Sequence, residues 1–140
     1  RIALLYIRVQ LLAGALGALA VHVMFDLPIL QLSTKARTGV GQWAGEAIAT
    51  FGLVLTILVT LKRLPGSVPA SVALYITAAY WFTSSTSFAN PAITVGRAFT
   101  NSFSGIAPAD ILGFVAAQLV GAVLAWLVCH WLFGENERLQ

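Results

Sequence analysis

Charge is what this sequence lacks most. Of 140 residues, 8 are Lys or Arg and 5 are Asp or Glu, 9% in all, against about 25% in a soluble domain. So few charged side chains cannot coat a water-soluble globule of this length. A chain that is 59% hydrophobic is also neither disordered nor a collagen-like fibre. A single cysteine, Cys129, excludes an internal disulfide and a cysteine-rich metal centre. The basic residues are scattered and several flank apolar runs, so the net charge of +3 does not mark a nucleic-acid partner. The hydroxyls of Thr83, Ser84, Ser85, Thr86 and Ser87 have no base beside them. His22 and His130 close two different apolar segments and are expected at opposite membrane faces, as packing or interfacial side chains. No catalytic residue, metal or cofactor is therefore expected, and no enzyme.

What is present is long apolar sequence. A helix needs roughly 20 apolar residues to cross about 30 Å of hydrocarbon. Residues 2–25, 43–61, 68–82 and about 107–133 read as four spans, so the chain is a multi-pass integral membrane unit surrounded by lipid. Asp26 and Pro28 end the first span, and Leu64-Pro65-Gly66-Ser67 is a turn. Lys and Arg gather on the cytoplasmic side. An outward-running first span puts Arg1, Arg8, Lys62, Arg63 and Arg138 inside, and Lys35, Arg37 and Arg97 outside. Trp43, Trp126 and Trp131 fit headgroup level or lipid contact. Gly113, Ala117, Gly121 and Ala125 form an every-fourth small stripe suited to close helix packing.

The first and last spans echo one another. A shift of 108 positions superposes Gln10 on Gln118, His22 on His130 and Phe25 on Phe133 without a gap. Polar residues are costly in a membrane and need a reason. The two spans run in opposite directions, the signature of inverted repeats. Residues 1–42 then form the closing helix of a first repeat with an extracellular loop, and 43–140 a second repeat with its cytoplasmic tail. The chain opens with Arg1 directly on an apolar segment. Two further helices and a half-helix are expected upstream.

Between residues 91 and 100 lies an apolar stretch of about ten residues, about 15 Å as a helix. Seven residues before it, 83–89, extend far enough to return from the outer face to the midplane. Asn90 is a strong N-cap, and Pro91 suits the first helical position. A half-helix starting at Asn90-Pro91-Ala92 would aim its unpaired N–H groups at the membrane centre. The extended run Ser87-Phe88-Ala89 would offer backbone carbonyls. Acceptors ending at donors are the chemistry of a neutral-solute pore.

The stretch Ser87-Phe88-Ala89-Asn90-Pro91-Ala92-Ile93-Thr94-Val95-Gly96-Arg97-Ala98 resembles the second Asn-Pro-Ala loop of the aquaporin and aquaglyceroporin family. Glu46-Ala47-Ile48-Ala49-Thr50-Phe51 resembles the family's fourth helix, and Tyr6-Ile7-Arg8-Val9-Gln10 the start of its third. The resemblance implies an all-α transmembrane fold: a right-handed helical bundle of inverted repeats with a re-entrant half-helix. Four spans and one half-helix, the family's C-terminal part, would be present here. It also implies a homotetramer with one pore per subunit. Glu46 would hold the return loop through its N–H groups, with Gln10 and Gln118 as further braces. As glue between helices, the two glutamines would serve equally well.

Two filter positions depart from the family pattern. Ile93 stands where most members carry Arg, and Ala78 where water-selective members often carry His; Ser87 is the third filter position. The implied constriction is wide and weakly polar, like that of bacterial members linked to arsenic handling. Expected cargo is water, glycerol and neutral arsenite-like metalloid acids, crossing a bacterial plasma membrane. Arg97, one turn beyond Ile93, would either supply positive charge at the outer mouth or brace loop carbonyls. The alternatives are a secondary transporter with a discontinuous helix, and a truncated channel fragment that does not conduct. A transporter would need an acidic or polar midplane cluster, whereas Glu46 is the only acid inside a span.

Overall fold

The computed structural model describes residues 1–134, so Arg138 and the polar tail lie outside the described residues. Those residues form helices and turns and no strand. The architecture is all-α and transmembrane, with three helices long and apolar enough to cross a bilayer.

Helix α1, Ile2–Met24, is closed by Asp26 in the left-handed region at φ 53°. Leu27 N–H returns to His22 O at 2.9 Å, and Asp26 N–H to Val23 O at 3.4 Å. This is a Schellman ending with Asp in the place glycine usually takes. Helix α2, Val40–Arg63, begins three residues before the apolar run and ends two after it. Lys62 and Arg63 favour its negative dipole end.

Helix α3, Val68–Phe82, has 15 residues, about 22 Å, which is short of a full crossing on its own. A 3₁₀ turn, Pro65–Ser67, runs directly into it and lengthens the rod. Pro65 cannot continue the helix before it but suits the first position of a new one, so no earlier helical start is available. The third expected span is thus a helix plus a turn.

Helix α4, Pro91–Arg97, has seven residues, about 10 Å, and is shorter than the ten expected. It stops because loop donors take the carbonyls a further turn would use. Ser33 N–H meets Ala98 O at 2.9 Å, and Ile106 N–H meets Arg97 O at 3.3 Å. A 3₁₀ turn at Pro108–Asp110 then opens α5, Ile111–Gly134.

Packing divides the chain into two compact units. One holds Arg1–Gly39 with Asn90–Val115; the other holds Val40–Ala89 with the chain from Ala116 onward. In the first, α1 packs on α4 at a pair of glycines. A Cβ on Gly96 would lie 3.0 Å from the carbonyl of Gly14, and one on Gly14 would lie 3.1 Å from Ala92 O. In the second, α5 reaches α2 at Gly121, where any side chain would meet the Ala47 carbonyl and, at 2.9 Å, Phe51 N. Tyr75 of α3 donates to Ala49 O of α2 at 3.0 Å.

Candidate solute pathway

The return segment after α3 is not a plain extended strand. Thr83 is extended, but Thr86, Ser87 and Ala89 have φ of 64°, 50° and 49°. A left-handed conformation costs a residue with a Cβ about 1–2 kcal/mol, so the shape must be held from outside. Glu46, fully buried on α2, holds it. Its carboxylate accepts the N–H of Phe88 at 3.3 Å and the N–H of Ala89. Gln118 of α5 donates to the same carboxylate at 2.9 Å. Ser87 Oγ donates to Ala79 O at 2.8 Å, and Ser87 N–H to Ser85 Oγ at 3.2 Å. No donor among the described residues meets the carbonyls of Ser87 and Ala89.

Asn90 follows as the N-cap of α4. Its Oδ1 accepts Ala92 N–H at 2.7 Å, with Pro91 at the first helical position. That bond fixes the amide, so the NH₂ points away from the helix and has no partner among the described residues. Thr94 closes the turn, with its N–H and Oγ1 both donating to Asn90 O at 3.0 Å.

Within the first unit, α1 and α4 wall an open cleft of about 620 Å³. Gly14 and Gly17 form one side, and Asn90, Ile93 and Arg97 the other. Ile93 is 41% exposed there, and Ala92 is buried behind it.

Over 127 residues, 91% of this chain, the sequence is 54% identical to the aquaglyceroporin AqpS of Rhizobium meliloti (strain 1021). The chain belongs to the aquaporin family. It spans 54% of the length of that relative. No protein-family profile and no solved structure matches it. As an aquaporin-family chain with three helices long and apolar enough to cross a membrane among its described residues, it is a multi-pass integral membrane protein.

The remaining positions expected to form a filter or braces in this aquaporin-family chain differ in exposure and partners. Ala78 is exposed on α3. Ser87 is buried, and its hydroxyl is spent on Ala79 O and on Thr83 Oγ1, which leaves its carbonyl without a donor among the described residues. Gln118 meets Glu46, and Gln10 has no partner among the described residues. It is exposed and lines the cleft. The two glutamines occupy equivalent sequence positions, and among the described residues α5 brings its own to the buried carboxylate of Glu46. His22 is fully buried, with Nδ1 2.8 Å from Ile29 O, while His130 is exposed and stacks on Trp126 at 5.7 Å between ring centres.

Sequence reasoning missed two features. Arg37, placed with the outer loop cations, is buried. Its Nε donates to Gly105 O at 2.6 Å and its Nη2 to Phe103 O at 2.8 Å, while its own backbone N–H donates to Asp110 Oδ2 at 2.7 Å. Gly14 is the second. It sits in a helix full of small residues, and only its contact with Gly96 distinguishes it.

Proposed function

We propose that this chain belongs to a passive channel for water and small neutral solutes in a bacterial plasma membrane. The carrying observation is the pairing of a carboxylate-held, left-handed return segment with an Asn-capped seven-residue helix. Carbonyls without donors at Ser87 and Ala89, followed directly in sequence by the unpaired amide of Asn90, supply the acceptors and donors that a neutral hydrogen-bonding path needs. A relative named as an aquaglyceroporin supports the same function.

The filter is wide. Ile93 and Ala78 offer hydrocarbon where a strict water channel needs bulky polar side chains, and Ser87 offers a carbonyl rather than its hydroxyl. Glycerol and undissociated arsenous acid fit such an opening. The assembled protein is a homotetramer of independent pores in lipid. Each pore is built from inverted repeats, with residues 43–140 in the second. Flux follows the gradient and needs no cofactor.

Proteoliposomes carrying the full-length protein test this reading. Swelling in glycerol and arsenous acid gradients, above that of empty vesicles, is the expected result. Ile93→Arg should abolish glycerol swelling while water still passes. A wild-type protein that passes water and excludes both larger solutes overturns the wide filter. One that passes nothing overturns the channel.

A further inference from the structure

Besides Gln10 and Asn90, the cleft is lined by a second polar group further along α4. Ile93 and Arg97 lie one helical turn apart on the same face of α4, and both line it. Thr100, Ser102 and Ser104 line it beyond Arg97. Arg97 Nη1 donates to Ser104 Oγ. Ser102 Oγ lies 3.3 Å from Ser104 Oγ, and Thr100 Oγ1 donates to Ser102 Oγ at 3.2 Å. Among the described residues no carboxylate pairs with this guanidinium.

We infer that Arg97 and these three hydroxyls form a selecting station for oxygen-rich neutral solutes, displaced about 6 Å along the helix from Ile93. The inference rests on the channel reading above and names a specificity residue within it. A guanidinium offers only donors, in a rigid fork, whereas a hydroxyl both donates and accepts. A polyol or an undissociated oxyacid presents several adjacent O–H groups. It can take donors from Arg97 and return its own protons to Ser102 and Ser104. A cation finds an uncompensated positive charge and no anionic ligand. The apolar Ile93 then passes whatever the station has selected. Ser104 is a positioning residue, because it touches Arg97 and turns the fork toward the cleft.

The test uses full-length protein in proteoliposomes, with glycerol, water and proton flux measured for wild type, Arg97→Leu and Arg97→Lys. The glycerol-to-water flux ratio decides. A lost hydrogen bond to a charged group corresponds to about tenfold in that ratio. Arg97→Leu should lower it by about that factor and raise proton leak. Arg97→Lys keeps the charge and loses the fork, so it should lower the ratio while leaving the leak low. If Arg97→Leu does not assemble, the ratio of the Lys variant carries the test. Variants with the wild-type ratio overturn the station. A wild-type protein that passes no glycerol overturns the channel reading instead.

Discussion

Glu46, near the start of α2, accepts the backbone N–H of Ala89, 43 residues further along the chain. One residue after Ala89 comes the cap of α4. A single buried carboxylate therefore holds the left-handed segment that ends at Ala89. Left-handed backbone at Thr86, Ser87 and Ala89 persists because acceptors and donors from α2, α3 and α5 surround it.

Replacing Glu46 by Gln keeps the shape but turns one acceptor oxygen into a donor. Phe88 N–H, Ala89 N–H and Gln118 Nε2 then compete for one oxygen. An unsatisfied buried donor costs about 1–3 kcal/mol. Glu46→Gln should lower thermal stability in detergent by about that much, and Glu46→Ala by more. A melting temperature equal to wild type would remove Glu46 from this role.

Gly96 and Gly17 make a matched pair. A Cβ on Gly96 meets the Gly14 backbone at 3.0 Å, whereas one on Gly17 meets nothing within 4 Å. Overpacking a tight contact costs about 1–3 kcal/mol, while Gly→Ala in an open helical site gains up to about 1 kcal/mol. Gly96→Ala should therefore destabilise the protein and Gly17→Ala should not, as read by thermal unfolding in detergent. Equal melting temperatures would show that α1 and α4 do not approach so closely.

Arg37 ties the loop after α1 to the loop after α4. Arg37→Leu leaves the carbonyls of Phe103 and Gly105 without these donors, at a cost of about 1–3 kcal/mol for the buried one at Gly105. Faster protease cleavage within residues 99–107 is expected, with Lys35→Leu as a control of equal charge change. Equal cleavage in the two variants would contradict it.

The sequence made some of this legible and hid the rest for physical reasons. Glu46 stood out because an acid in an apolar span needs partners, and Asn90-Pro91 because capping is local. The left-handed residues were hidden. They are Thr, Ser and Ala, which adopt that conformation only when contacts distant in sequence impose it. Arg37 was hidden for the same reason, since its partners lie 66 to 73 residues away. Gln118 stood out as a polar residue in an apolar span, but that its partner is the carboxylate of Glu46, 72 residues away, is held only by the structure. The length of α4 depended on Ser33 and Ile106, loop donors with no periodicity to read.

The most direct test of the account is a cysteine at position 93. Cys129, the one cysteine in these 140 residues, is buried at 4% exposure, whereas Ile93 lines the cleft together with Asn90. Full-length Ile93→Cys protein in proteoliposomes should conduct water, and a small membrane-impermeant thiol reagent should stop that flux as it labels the new cysteine. Full labelling with undiminished water flux would contradict the placement of the half-helix in the solute path.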